Sequence, residues 1–162
     1  KIKASEAVRL ALEESDNTAA RTLVPIIDKK DFDSVYEGLD IELESDNYGA
    51  LLTAKNYASI LKALYFSAVI GKDSSEEILD YLTKTKFPDK LAAGVPSHVL
   101  VAHKIGDYSD DKGNEAFMDC GIVYVPRRPY SLCMLSIGDE QTARERMQLL
   151  SKTIYDYVST IE

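Results

Sequence analysis

An α+β domain is what this sequence predicts: a helix-rich first part, a three-stranded antiparallel sheet and one long closing helix. Three observations carry that expectation. Apolar residues recur at three- and four-residue spacing in segments as far as Thr83. Beyond Pro96, three runs rich in Val, Ile, Tyr and Leu replace that periodicity, and from Glu140 helical spacing returns through Met147, Leu150, Ile154, Val158 and Ile161. Helices first and strands afterwards indicate layered α+β packing rather than alternating βαβ units.

Taken in order, Ser5 to Glu14 puts Ala7, Val8, Leu10, Ala11 and Leu12 on an apolar helical face and runs into a polar turn. From Ala19 the chain is apolar again, and Pro25 is tolerable there only near a helix start or at a kink. The acidic stretch Asp28 to Asn47 shows little periodicity and reads as a solvated, irregular connection with at most a short helical turn. Thr53 to Ala68 is the clearest helix, with Thr53 as its cap and Tyr57, Ile60, Leu61, Leu64 and Tyr65 on one face. A further helix over Ser75 to Thr83 is introduced by Ser74-Ser75, and the Gly/Pro-punctuated stretch Ala92 to Pro96 ends helical reading. The expected strands are His98 to Lys104, Phe117 to Val125 and Tyr130 to Ile137. The last two, almost continuously apolar, are expected to be covered on both faces. Ser109 to Glu115, with Gly113 and Asn114, reads as the first hairpin loop, and Arg127-Arg128, between two prolines, as the tip of the second.

With 162 residues, 45% hydrophobic and 28% charged, residues 1–162 are read as a single domain able to bury a core. No run approaches the roughly 20 apolar residues of a membrane span. Lys1-Ile2-Lys3-Ala4-Ser5-Glu6 lacks a hydrophobic signal core, so the chain as it stands is expected to be soluble. A net charge of −8 argues against nucleic acid as a partner, because phosphate binding relies on clustered Lys and Arg. If Arg127-Arg128 form a two-residue turn, Cys133 lies across from Ile122 and only diagonally from Cys120, which predicts two buried free thiols. The spacing of Cys120, Cys133, His98 and His103 fits no zinc motif, so neither metal nor other cofactor is expected.

Two short motifs stand out: Ser15-Asp16-Asn17 directly after a helix, and Lys104-Ile105-Gly106 at a strand end. A lone tripeptide is weak evidence, as the second copy Ser45-Asp46-Asn47 demonstrates; no helix enters that copy, and it reads as coincidence. The first copy, with Leu10-Ala11-Leu12-Glu13-Glu14 before it and Thr18-Ala19-Ala20 after it, resembles the S-D-N region of serine β-lactamases and penicillin-binding proteins, and Lys104-Ile105-Gly106 resembles an altered K-T-G. Leu52-Thr53-Ala54-Lys55-Asn56-Tyr57-Ala58 resembles the helix after that family's Ω-loop. Ala93-Gly94-Val95-Pro96 leading to Val101-Ala102-His103-Lys104 resembles the approach to its K-T-G strand, and Asp119 to Tyr124 with Tyr130 to Leu135 its last two strands. The joint order is far more specific than either motif.

The resemblance implies a β-lactamase/transpeptidase-like fold and acyl transfer. Such chemistry needs an activated serine, a proton donor for the departing nitrogen, an anchor for the substrate carboxylate and N–H donors for the oxyanion. On this reading Ser15 relays the proton to the leaving nitrogen, Asn17 orients the substrate or the catalytic lysine, and Lys104 sets a positive potential beside Ser15. Gly106 opens the strand edge to substrate, and the Asp107 N–H serves as an oxyanion donor. Partners are then a β-lactam or peptidoglycan-like peptide, in an extracytoplasmic location inferred from the family.

Two departures matter. Ile105 stands where the family carries a hydroxyl that bonds the substrate carboxylate, a bond to a charged group worth roughly 1.5–3 kcal/mol. The nucleophile motif S-x-x-K is absent before Ser15. Ser59-Ile60-Leu61-Lys62 and Ser109-Asp110-Asp111-Lys112 match it in the wrong order, and none of Glu37, Asp40, Glu42 and Glu44 has a recognisable frame as deacylating base. The chain is therefore expected to be an incomplete domain, lacking the N-terminal strands and nucleophile helix, which a missing N-terminal segment would supply. The alternative is a non-catalytic binding module of the same fold, recognising cell-wall peptide or a protein partner.

Overall fold

A computed structural model describes residues 2–41 and 52–161. Its elements run α1 (Ala4–Glu13), α2 (Asn17–Leu23), α3 (Lys29–Gly38), α4 (Ala54–Tyr65), α5 (Lys72–Thr83), β1 (Val101–Ser109), β2 (Glu115–Val123), β3 (Tyr130–Ile137) and α6 (Glu140–Thr160), with short 3-10 turns at Val24–Ile26 and Ala92–Gly94. The strands form one antiparallel sheet in the order β1-β2-β3. This is the expected α+β arrangement.

Successive side chains alternate across a strand, so the register of β1 on β2 sorts the core into two layers. Ala102, Cys120 and Ile122 face the helices and pack with Leu61, Leu79 and Leu82, flanked by Leu12, Tyr57 and Leu64. Val101, Phe117 and Val123 face the other way, toward Leu91, Val95, Ala143 and Met147. Each fully buried Leu or Met contributes about 1.5–3 kcal/mol relative to exposure. The helical layer thus sits on one side of the sheet, and α6 with the Ala92–Gly94 turn on the other. Gly94 permits the closest approach: a Cβ there would lie 2.5 Å from the Gln148 carbonyl oxygen and 2.7 Å from the Lys152 nitrogen. Beside it the Ser151 hydroxyl donates to the Leu91 carbonyl at 2.7 Å.

Several expectations need correction. Asp28 to Asn47 is not wholly irregular: α3 forms because the Asp28 carboxylate caps the Lys30 N–H at 2.8 Å, and Phe32 stacks on Tyr36 one turn later with ring centroids 4.6 Å apart. The rest of that stretch lies outside the described residues, including Ser45-Asp46-Asn47, Glu42 and Glu44. Helix α5 starts at Lys72 after Gly71, so Ser75 is inside it, buried, with its hydroxyl 3.3 Å from the Ile70 carbonyl. The expected Thr53 cap is present, as a reciprocal capping box with Asn56.

Strand β1 begins at Val101 rather than His98, because Pro96 closes a turn with the Val99 N–H at 2.9 Å. It continues to Ser109, where the Asp110 carboxylate accepts the Lys112 and Asn114 N–H groups and Gly113 takes φ 79°. Lys104-Ile105-Gly106 therefore occupies mid-strand, not a strand end. Strand β3 is less covered than expected: Leu135 is exposed and Ile137 is 80% exposed.

The second hairpin overturns the free-thiol expectation. Pro126 and Pro129 would close a two-residue turn, and neither can donate to the ladder. Instead Arg128 N–H bonds the Val125 carbonyl at 2.9 Å, with Pro126 in the second turn position and Arg127 at φ 67° in the third, the pattern of a type II turn. The strands pair from Val123↔Tyr130 onward, which shifts the register by two residues, sets Cys120 directly opposite Cys133 with Cα atoms 4.0 Å apart, and joins them in a disulfide.

Two predictions follow from this packing. Cys133→Ala, which opens a loop with sequence separation 13, is expected to cost about 2–3 kcal/mol in denaturant unfolding, a difference that vanishes under reducing conditions. Gly94→Ala is expected to cost about 1–3 kcal/mol by forcing the Ala92–Gly94 turn off α6, read as a drop in melting temperature.

Candidate active site

Helix α1 ends at Glu13, and the chain leaves it through Ser15, which takes φ 52° in the left-handed region. Glycine usually fills such a helix-ending position; a residue with a Cβ costs roughly 1–2 kcal/mol there. The next residue, Asp16, starts α2, its carboxylate accepting the Thr18 and Ala19 N–H groups at 2.7 and 3.0 Å. From the other side the Lys86 N–H bonds the Glu13 carbonyl at 2.9 Å, and Lys86 Nζ lies 2.9 Å from Glu14. A helix end, a capped helix start and a tether from the α5–β1 connection thus fix the place of the Ser15 hydroxyl.

Lys104 reaches that hydroxyl from the middle of β1. Its Nζ donates to Ser15 Oγ at 2.5 Å and to the Ile105 carbonyl at 2.9 Å. Burial pushes the Lys104 ammonium below the ordinary lysine pKa, and the negative charges of Asp107 and Asp119 partly oppose this. A hydroxyl that accepts from an ammonium keeps its own proton free to donate elsewhere, so the pair can pass a proton and places positive charge at one point.

The neighbours of Lys104 are placed by the pairing pattern. The Tyr124 N–H bonds the Leu100 carbonyl at 2.9 Å, and alternation from that pair turns the backbone groups of Val101, His103, Ile105 and Asp107 to the free edge of β1. Gly106 shares the Lys104 side of the strand, and a Cβ there would meet the Met118 side chain, its Cε at 3.0 Å and its Cβ at 3.9 Å. The Ile105 side chain points to the opposite face, 7% exposed. Asn17 is exposed at the start of α2, and its side chain makes no hydrogen bond among the described residues.

Two groups escaped the sequence reading. Lys90, only 3% exposed, places Nζ 3.6 Å from Asp107 and 3.9 Å from Asp89. A buried ammonium needs such carboxylates, and nothing in the spacing of Lys90 from Lys104 announces that the two flank Asp107. His103 and Asp119 form the second: Nδ1 and Oδ1 are 2.8 Å apart, with exposures of 2% and 0%. The signal was a histidine and an aspartate inside otherwise apolar strand runs, where polar groups persist only when paired.

Because folding lowers the proton affinity of Lys104, the unfolded chain holds that proton more tightly. The group is thus a net cost to stability at neutral pH, and its contribution improves as pH climbs from its folded pKa toward the ordinary lysine value. Lys104→Met is accordingly expected to fold with unchanged stability or a gain of about 1 kcal/mol, measured by thermal unfolding at pH 7.

This architecture recurs in solved proteins. A structure of PBP-A is similar over 99% of this chain and 63% of its own, with TM-score 0.79 and 18% identity. A β-lactamase from Sphaerobacter thermophilus is similar over 99% and 64%, with TM-score 0.82 and 18% identity. A class A β-lactamase from Mycobacterium abscessus is similar over 96% and 65%, with TM-score 0.74 and 18% identity. The chain thus spans a little under two thirds of the length of these structures, and at such identities the likeness speaks to fold. Among curated proteins none matches. The profile of the Beta-lactamase2 family, described as a β-lactamase enzyme family, matches residues 1–158; by that match, together with the shared fold, the chain belongs to the β-lactamase enzyme family.

Proposed function

We propose that the chain is the downstream part of a serine hydrolase or acyl-transferase acting on β-lactams or peptidoglycan-type peptides, whose nucleophile lies outside these 162 residues. The observation that carries this reading is the contact of Lys104 Nζ with Ser15 Oγ at 2.5 Å, which joins motifs 89 residues apart. Ser15 passes its proton to the departing nitrogen while Lys104 offers one behind it and attracts the substrate carboxylate. Asn17 orients substrate or the catalytic lysine. The Asp107 N–H, on the free edge of β1, donates to the oxyanion, and Gly106 leaves that edge open. Ile105 brings no hydroxyl to the site, and Lys90 supplies a positive charge beside Asp107.

The remaining parts of the reading have their own support. Ser59 lies inside α4, and Ser109 is the last residue of β1, with Asp110 to Lys112 in the hairpin loop beyond it. Exposed Leu135 and Ile137 on β3 fit a sheet that continues in an upstream segment carrying the nucleophile helix. The Cys120–Cys133 disulfide fits an oxidising, extracytoplasmic compartment, and among the described residues no helix is long and apolar enough to cross a membrane. A non-catalytic module that binds cell-wall peptide is the second reading, favoured by the apolar Ile105.

Intact-protein mass spectrometry after incubation with a fluorescent penicillin separates the two. The full-length product of the gene is expected to gain the mass of the opened lactam, and this chain alone is not. Ser15→Ala and Lys104→Ala in the full-length protein are each expected to slow that labelling about 100-fold or more while leaving the melting curve in place. Absence of labelling in both proteins would sink the acylation reading in favour of the binding module.

A further inference from the structure

The proposed chemistry uses the Lys104 ammonium at Ser15, and the Lys90 ammonium lies 3.6 Å from Asp107; both belong to segments that meet at a single buried carboxylate. Asp119, on β2, has no exposed surface. One of its oxygens, Oδ1, lies 2.8 Å from His103 Nδ1, and the other accepts the Leu91 N–H at 2.9 Å. His103 immediately precedes Lys104 on β1, and Leu91 immediately follows Lys90. The residue opposite His103 on β2 is Gly121, where a Cβ would come within 2.5 Å of His103 Cβ and 2.7 Å of the Ala102 carbonyl oxygen. The absence of a side chain at Gly121 thus leaves room for His103 on the neighbouring strand.

We propose that Asp119 is a positioning residue of the active site, tying β1 through His103 and the Lys90 segment through Leu91 to one point. This rests on the hydrolase reading and deepens it. Asp119 touches neither Ser15 nor any position open to substrate, and acts through the residues it holds. An ionised carboxylate without solvent is costly unless its oxygens are satisfied, and here both have partners. With Asp119 ionised, His103 carries its proton on Nδ1 and donates it. The same charge acts on Lys104, where burial lowers the ammonium's pKa while Asp107 first and Asp119 second raise it. Asp107 thus acts on both Lys104 and Lys90, and at the end of α1 the Glu14 carboxylate pairs with Lys86 while that of Asp16 caps α2. Lys90 pairs with Asp107 and Asp89; on α5, packed on the same side, Lys72 pairs with Glu76, Lys84 with Asp80, and Glu77 accepts from Tyr81.

The test is a carbon-13 NMR titration of the protein labelled at lysine Cε, with the Lys104 resonance identified by its loss in Lys104→Arg. Asp119→Asn, which keeps shape and removes charge, is expected to move the Lys104 midpoint to lower pH while circular dichroism stays that of the parent. An unmoved or raised midpoint in folded Asp119→Asn overturns the proposal. Should that variant fail to fold, the nitrogen-15 spectrum of His103 in the unaltered protein decides: the Nδ1–H tautomer is expected. An Nε2–H tautomer means that Asp119 holds the proton and is neutral, which also overturns it. Neither measurement uses a β-lactam. Failure of penicillin labelling would remove the hydrolase reading without touching these results, and labelling with an unmoved midpoint would remove Asp119 from an intact hydrolase.

Discussion

The register of β1 on β2 is the constraint on which the rest of the molecule depends. Side chains alternate with a period of two, so a slip of one residue would exchange Lys104 and Gly106 with His103 and Ile105 across the sheet. In the observed register Lys104 faces the end of α1, while His103 and Asp119 meet in the layer beneath α6. The same register gives Gly121 as the residue opposite His103, and the turn chemistry of Pro126 and Pro129 carries it on to β3, where Cys120 meets Cys133. The pairing of β1 on β2 therefore sets the site and its buried support, and the turn that pairs β2 with β3 sets the disulfide.

Unfavourable local choices concentrate around that register. Ser15 sits in a left-handed conformation where glycine would be easier, Lys104 loses solvent, Lys90 is nearly enclosed, and Asp119 is wholly enclosed. Each would lower stability in isolation, and each belongs to β1 or to a segment that bonds to it or to the neighbouring β2. Elsewhere the molecule is conventional. Pairs such as Lys29–Asp33, Lys72–Glu76 and Lys152–Asp156 are solvent-exposed neighbours along single helices and contribute a few tenths of a kcal/mol each.

Much was legible in the residues themselves. The periodicity of Tyr57, Ile60, Leu61 and Leu64 announced α4, Thr53 announced its cap, and the change to β-rich runs after Pro96 announced the sheet. Ser15-Asp16-Asn17 and Lys104-Ile105-Gly106 were visible as motifs because their types and order are local facts. Helix α3 was not, since its stabilisation comes from a cap and one aromatic pair rather than from an apolar stripe. The disulfide was missed because its register depends on how a proline-flanked turn closes.

What the sequence by itself determined is the set of elements, their order and the chemical types available to the site, because hydrophobic period, capping and turn residues act within a few positions of the chain. The tertiary structure alone decided which of those types meet. Lys104 touching Ser15, Lys90 facing Asp107, Asp119 gripping both His103 and Leu91, and Cys120 opposite Cys133 are contacts between segments far apart in sequence or separated by a turn. Each is set by strand register and layer packing, and neither is encoded at any single position.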